Sequence, residues 1–287
     1  LHFVYSCIMT RYTERIKHQI SHSYGSDIVE SVIIDDIDIN QLADSNNDQD
    51  YATELNNMIG LQNLKTSLAK MFNLTKFNQM RHSLGLKSKD NGCHHMIFTG
   101  NPGTGKTTVA KLIGKAFHSI GILSKGDVIV TERSKIVGRY LGETEKNISD
   151  ILSQAQGNVL FVDEAYTLIT DSDDRRDFGN RIIDALLTVL SQKNPDMVII
   201  FAGYKREIER MLDVNPGLNG RFPHRFNFDD YSAQELMLIA EQLIEAGAPE
   251  ICLKDMAGIG QPAMLGQLCK MIKDKHPEVI IQYHGHS

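Results

Sequence analysis

Residues 94–107 read HHMIFTGNPGTGKT: a short apolar run, a glycine, then a turn-rich stretch closing on Gly-Lys-Thr. The run over 94–100 is short and apolar and ends in glycine, so it predicts a buried strand. Beyond it, TTVAKLIGKAFHSI (107–120) sets Val109, Leu112, Ile113, Ala116 and Phe117 at helical spacing. Between strand and helix, Gly100 to Thr107 fits G-x-x-x-x-G-K-[ST], the loop that cradles phosphates. Gly103 and Gly105 let backbone amides curl round anionic oxygens with no Cβ in the way. The helix opening at Thr107 turns its positive end to the same place. Lys106 is expected to bridge β- and γ-phosphates, and the Thr107 hydroxyl to ligate Mg²⁺. The candidate nucleotide-binding residues are therefore Gly100, Asn101, Pro102, Gly103, Thr104, Gly105, Lys106, Thr107 and Thr108.

Outward from this loop the pattern repeats. Leu61, Leu64, Leu68, Met71 and Phe72 predict a helix before the first strand. DVIVTE (127–132), NVLFVDEA (158–165) and MVIIFAGY (197–204) predict strands, while ISDILSQAQ (148–156) and RIIDALLTVLSQ (181–192) predict helices. Continuously apolar strands alternating with helices imply an α/β fold, a parallel sheet flanked by helices on both faces. NVLFVDEA ends in two acids. Phosphoryl transfer needs a carboxylate near Mg²⁺ and a group that orients the attacking water. Asp163 suits the first role and Glu164 the second, a pairing that favours hydrolysis.

These residues resemble the AAA+ ATPases, in particular the branch of red-type rubisco activases and stage V sporulation protein K-like proteins. The resemblance runs over about 58–240 and rests on MIGLQNLK, GNPGTGKTTVA, VGRYLGET, VLFVDEAYTL, DFGNRIIDALL, IIFAGY and NPGLNGRFPHRFNFDDYS, in that order. It implies ATP and Mg²⁺ as ligands and a homo-oligomeric ring, usually a hexamer formed with ATP, that remodels a protein client. By the same resemblance Arg221 matches an arginine finger reaching a neighbour's γ-phosphate, with Arg225 as a second candidate. Tyr140 matches an aromatic pore-loop residue that grips a threaded polypeptide. Gly203-Tyr204 stands where many AAA+ proteins carry a polar Asn or Thr, so the Tyr204 hydroxyl is a candidate for that role. Arg181 stands where the branch usually has an acid, which bears on a subunit or partner contact.

The chain beyond the ATPase motifs departs from that family. A helical lid begins with SAQELMLIAEQLI (232–244), but EICLKDMA, PAMLGQLCKMIKDK and EVIIQYHGHS then predict strand, helix and strand. No arginine follows Arg225, so the lid's second sensing arginine is missing from this sequence. GAPEICLKDMAG and IIQYHGHS, within about 243–287, resemble a fragment of the carboxyltransferase barrel of biotin-dependent enzymes such as oxaloacetate decarboxylase and pyruvate carboxylase. That likeness implies a second metal site from Lys254, His284 and His286. The expected organisation is an acidic, weakly structured extension over 1–56, an AAA+ module over 57–240 with an incomplete lid, and a β-α-β segment over 241–287.

Composition bounds the rest. The chain has 287 residues, a net charge of −6 and no Lys or Arg between Lys17 and Lys65, a stretch whose acids run from Asp27 to Glu54. Nothing there offers a broad basic surface to nucleic acid. Ile33, Ile34, Ile37 and Ile39 among those acids suggest a short strand or a docking segment. Four cysteines form no CxxC pair, which suits a reducing compartment. The apolar start, LHFVYSCIM, is too short for a membrane span and lacks a basic leader. The expectation is a cytoplasmic protein that contacts neither membrane nor nucleic acid. A first residue other than Met and the change of family near the end suggest a chimeric or truncated reading frame, with Met9 as a candidate start. The alternative to an ATP-hydrolysing remodeller is a nucleotide-gated assembly module without turnover.

Overall fold

The computed structural model describes residues 48–83, 85, 93–138, 142–169, 178–193, 195–255 and 262–285. Ile33, Ile34, Ile37 and Ile39 lie outside these, as do Tyr140 and His286. In chain order the elements begin with helices α1 (Asp48–Asn57) and α2 (Gln62–Ser83), strand β1 (Met96–Gly100), α3 (Lys106–Ser119), β2 (Val128–Thr131), α4 (Arg133–Ile136), α5 (Glu143–Gln154) and β3 (Val159–Val162). A 3₁₀ turn (Ala165–Leu168) leads to α6 (Phe178–Leu190), β4 (Val198–Gly203), α7 (Lys205–Val214), α8 (Pro216–Asn219), β5 (His224–Phe228) and α9 (Ala233–Glu245). The last three are β6 (Glu250–Asp255), α10 (Pro262–Lys275) and β7 (Ile280–Gly285).

The main sheet is parallel throughout, in the order β2-β3-β4-β1-β5. Successive side chains of a strand point to opposite faces, and both faces are covered. Met96, Phe98, Val159, Phe161, Val198 and Ile200 pack against α2 and α3 through Leu64, Leu68, Val109, Ile113 and Phe117. Ile97, Leu160, Val162, Ile199 and Phe201 pack against α5, α6 and α7 through Ile148, Ile182, Leu186, Ile208 and Leu212. Burial on both sides is why these strands have no polar alternation. Each fully buried side chain of this size contributes about 1.5–3 kcal/mol. Phe98 sits at the centre of one face, its ring 4.9 Å from that of Phe228 and 5.9 Å from that of Phe226.

Two elements are not evident from the sequence pattern. β5 reads HRFNF, with only Phe226 and Phe228 buried, because an edge strand needs one apolar face. Helix α1 begins inside the stretch read as an acidic extension, and Leu55 from it joins the α2–α3 side of the core. Lys115 of α3 meets Glu54 beside it at 2.8 Å.

The last segment forms the predicted β-α-β unit. β6 and β7 pair in parallel, and α9 and α10 share a small core of Met237, Ala240, Leu268 and Ile272. Ile280 and Tyr283 of β7 are more than half exposed. Among the described residues no helix is long and apolar enough to cross a membrane.

Candidate active site

Parallel strands finish on the same edge of a sheet, so the ends of β3, β4 and β1, neighbours in that order, converge. The register makes this concrete: Val162 pairs with Phe201, Thr99 with Gly203 and Gly100 with Phe228. The loop after β1 and the acidic turn after β3 therefore face each other across β4.

The loop after β1 is shaped by its own bonds. Thr104 is buried and donates its hydroxyl to the Asn101 carbonyl at 2.8 Å. Gly105, at φ 91°, hands the chain into α3, and Gly103, at φ 80°, leaves open space where a Cβ would stand. Lys106 lies over the loop, its Nζ donating to the carbonyl oxygens of Gly100 (2.9 Å) and Asn101 (2.7 Å). Burial lowers its pKa, while Asp163 and Asp230 oppose that shift. Thr107 is half-buried on the first turn of α3; Pro102 and Thr108 are exposed.

The acidic turn is equally defined. The Asp163 amide donates to the Thr131 carbonyl at 2.9 Å, extending the β2–β3 pairing by one step. The Asp163 carboxylate accepts from the Glu164 amide at 3.0 Å. Glu164 is exposed and takes a left-handed backbone at φ 47°, which turns the chain sharply into the 3₁₀ segment. The donor set tests well against the implied ligands. The Thr107 hydroxyl and the Asp163 carboxylate are hard oxygen donors of the kind Mg²⁺ takes. Lys106 and the open, glycine-lined loop suit a polyphosphate.

Three residues absent from the sequence reading join this edge. Asp230, just past β5, accepts from the Asn101 side chain at 2.8 and 2.9 Å. Tyr231 brings its hydroxyl to 3.6 Å from where a Gly105 Cβ would stand. Burial, and after it Glu235, raises its pKa. Tyr166 lies against Gly203. The phosphate-loop motif cannot announce such neighbours, since they come from the ends of other strands, β5 and β3.

Arg221 is placed elsewhere. It precedes β5, whose first residue His224 pairs with Met96 at the start of β1. Arg221 thus lies beyond the opposite edge of the sheet, about one five-residue strand (~16 Å) from the loop. Its Nε donates to the Ser191 hydroxyl at 2.9 Å and its Nη1 to the Gly217 carbonyl. Arg225, exposed, donates to the Asn219 side chain. Tyr204 is 38% exposed and opens α7. Arg181 pairs with Glu145 of α5. In the last segment Lys254 and His284 are register partners on β6 and β7, and the remaining candidate ligand, His286, is outside the described residues. Among the described residues no group of three or more His, Cys, Asp and Glu is arranged to hold a metal.

Residues 96–230 match the family described as "ATPase family associated with various cellular activities (AAA)". The chain is also 39% identical over 198 residues to a protein CfxQ homolog of Guillardia theta, covering 69% of this chain and 67% of that protein. The chain belongs to the AAA ATPase family. Stage V sporulation protein K of Bacillus subtilis is 41% identical over 192 residues, 67% of this chain and 59% of that protein. The chloroplastic ribulose bisphosphate carboxylase/oxygenase activase of Cyanidioschyzon merolae is 42% identical over 188 residues, 66% of this chain and 64% of that protein. The match thus spans less than two thirds of each of these last two relatives. AAA family membership implies ATP binding, typically with Mg²⁺, and AAA proteins commonly assemble as oligomers. The carboxyltransferase likeness of the last segment has no support in these comparisons. The segment's β-α-β unit is a two-stranded sheet, without the closed eight-strand barrel that such an enzyme needs.

Proposed function

We propose that this AAA protein hydrolyses ATP at boundaries between subunits of a ring and uses the cycle to remodel a protein client. The observation that carries this is the convergence of Lys106, Asp163 and Glu164 on one edge of a parallel sheet while Arg221 sits at the other. ATP with Mg²⁺ supplies the reactive phosphoanhydride and the divalent charge. Lys106 neutralises phosphate charge, and Thr107 and Asp163 hold the metal. Glu164, exposed beside them, orients the attacking water and accepts its proton as the water oxygen joins the γ-phosphorus and the bridging bond to ADP breaks. Arg221 is too far from its own loop for this work, and its planar guanidinium suits the γ-phosphate of an adjacent copy. A ring, most simply a hexamer, places each Arg221 there, and Tyr140 then engages the client. The name of one relative, the ribulose bisphosphate carboxylase/oxygenase activase, points to a protein as the client class.

A second reading, nucleotide-gated assembly without turnover, is favoured by one observation: the β6-α10-β7 unit stands where a helical lid would continue. Phosphate release measured alongside size-exclusion chromatography, with and without ATP, separates the two. Turnover by an ATP-dependent oligomer, lost on Glu164→Gln with binding retained, supports hydrolysis. Assembly with no phosphate release favours the second reading. Turnover that survives Glu164→Gln overturns the site assignment.

A further inference from the structure

Gly203 is the last residue of β4, flanked by the phosphate loop on one side and the acidic turn on the other. A Cβ at this position would lie 2.8 Å from Cδ1 and 3.0 Å from Cε1 of Tyr166. Real Cβ atoms do not approach so closely, so glycine is required here because the Tyr166 ring occupies the space. A phenol at the end of the central strand thus takes the volume in which a side chain of residue 203 would have stood.

The ring is well held. The 3₁₀ turn that carries it is closed by the Thr167 amide and hydroxyl, both donating to the Glu164 carbonyl at 2.8 and 2.7 Å. Glu164 and Tyr166 therefore ride on one short, bonded unit. Tyr204, the phenol considered from sequence, lies with its ring centroid 6.1 Å from that of Tyr166, on the outer side and exposed. Burial, followed by Glu164, Tyr204, Glu207 and Asp163, pushes the Tyr166 pKa up to about 12. Its hydroxyl therefore stays protonated and able to donate at any working pH. Glu164, on an exposed left-handed residue, has by contrast little of its own to fix its direction.

We propose that Tyr166, not Tyr204, is a positioning residue for ATP hydrolysis: its hydroxyl donates to the Glu164 carboxylate when nucleotide is bound and aims that carboxylate at the attacking water. This rests on the hydrolytic reading above. Because Tyr166 acts through Glu164, removing its hydroxyl costs turnover and leaves nucleotide binding alone.

The test is steady-state ATP hydrolysis and ATP binding by the full chain and its variants. Tyr166→Phe keeps the ring against Gly203 and removes only the hydroxyl. The expected result is a kcat lower by about 10–100-fold, the effect of losing one hydrogen bond to a charged group. KM and ATP affinity stay within about twofold, and Tyr204→Phe behaves as wild type. Adding Tyr166→Phe to Glu164→Gln lowers turnover no further, as two residues acting as one unit require. Wild-type kcat in Tyr166→Phe, with Glu164→Gln inactive, overturns the proposal and leaves the hydrolytic reading standing. Equal losses in kcat and affinity also overturn it, since they mark a structural role. A wild-type chain with no turnover removes the hydrolytic reading and this inference with it.

Discussion

His95 Nδ1 accepts the backbone amide of Ile199 at 3.0 Å, a side chain standing in for a ladder carbonyl where β1 and β4 begin. The ring is fully buried, and its Nε2 has no hydrogen-bond partner. An acceptor at Nδ1 places the proton of the neutral ring on Nε2.

That arrangement predicts an acid-sensitive sheet. Burial, with His94 beside it, lowers the His95 pKa from 6.5 to about 4. The unfolded chain then binds this proton first as pH falls. The stability His95 contributes is complete above pH 6.5 and is lost between 6.5 and about 4. The loss by pH 4 amounts to about 3 kcal/mol. His95→Asn keeps an acceptor for Ile199 and cannot titrate. Urea unfolding at pH 7.5 and at pH 4 is expected to show a loss of stability between the two that is smaller by that amount in the variant. Equal losses would show that His95 is not the group responsible.

The separation of Arg221 from Lys106 predicts complementation between subunits. Lys106→Ala is expected to lose nucleotide binding. Arg221→Ala is expected to bind normally and turn over at least about 10³-fold more slowly, the low end of arginine-finger effects of about 10³–10⁵. Mixed together, an Arg221→Ala subunit offers an intact loop to the intact arginine of a Lys106→Ala neighbour, so activity returns above that of either variant alone. No recovery in a mixture that demonstrably co-assembles would place Arg221 outside the reaction.

Leu55 predicts where the module begins. It is buried among α2 and α3 side chains although its helix lies upstream of the recognisable motifs. Leu55→Ala is expected to cost about 2–4 kcal/mol in chemical unfolding. Removing the half-exposed Glu54 partner of Lys115 should cost under about 1 kcal/mol. Similar effects from both would mean that α1 does not anchor through Leu55.

The sequence shows β1, β3 and β4 plainly, because strands buried on both faces have no alternation of polar residues to confuse the pattern. It also shows α10, whose observed limits, Pro262–Lys275, coincide with the apolar spacing. β5 is hidden by its half-buried His224 and its exposed Arg225 and Asn227, as an edge strand is. α1 is hidden because Leu55 supplies its buried anchor among polar neighbours. At the site, Lys106, Asp163 and Glu164 are legible because phosphate and metal chemistry dictates their type and spacing. Asp230, Tyr231 and Tyr166 are not, because only the stacking of strand ends brings them close. Tyr166 in particular is visible only through the space it denies to residue 203.

The left-handed backbone at Glu164 has a consequence for how this protein should respond to selection for robustness alone. A non-glycine residue in that conformation costs about 1–2 kcal/mol, and the exposed Glu164 side chain recovers little of it through packing. Glu164→Gly is therefore expected to raise the midpoint of thermal unfolding while abolishing ATP hydrolysis. If it instead melts at a lower temperature, the glutamate is serving the fold. A screen that rewarded only heat resistance would discard the residue to which the proposed hydrolysis assigns the attacking water.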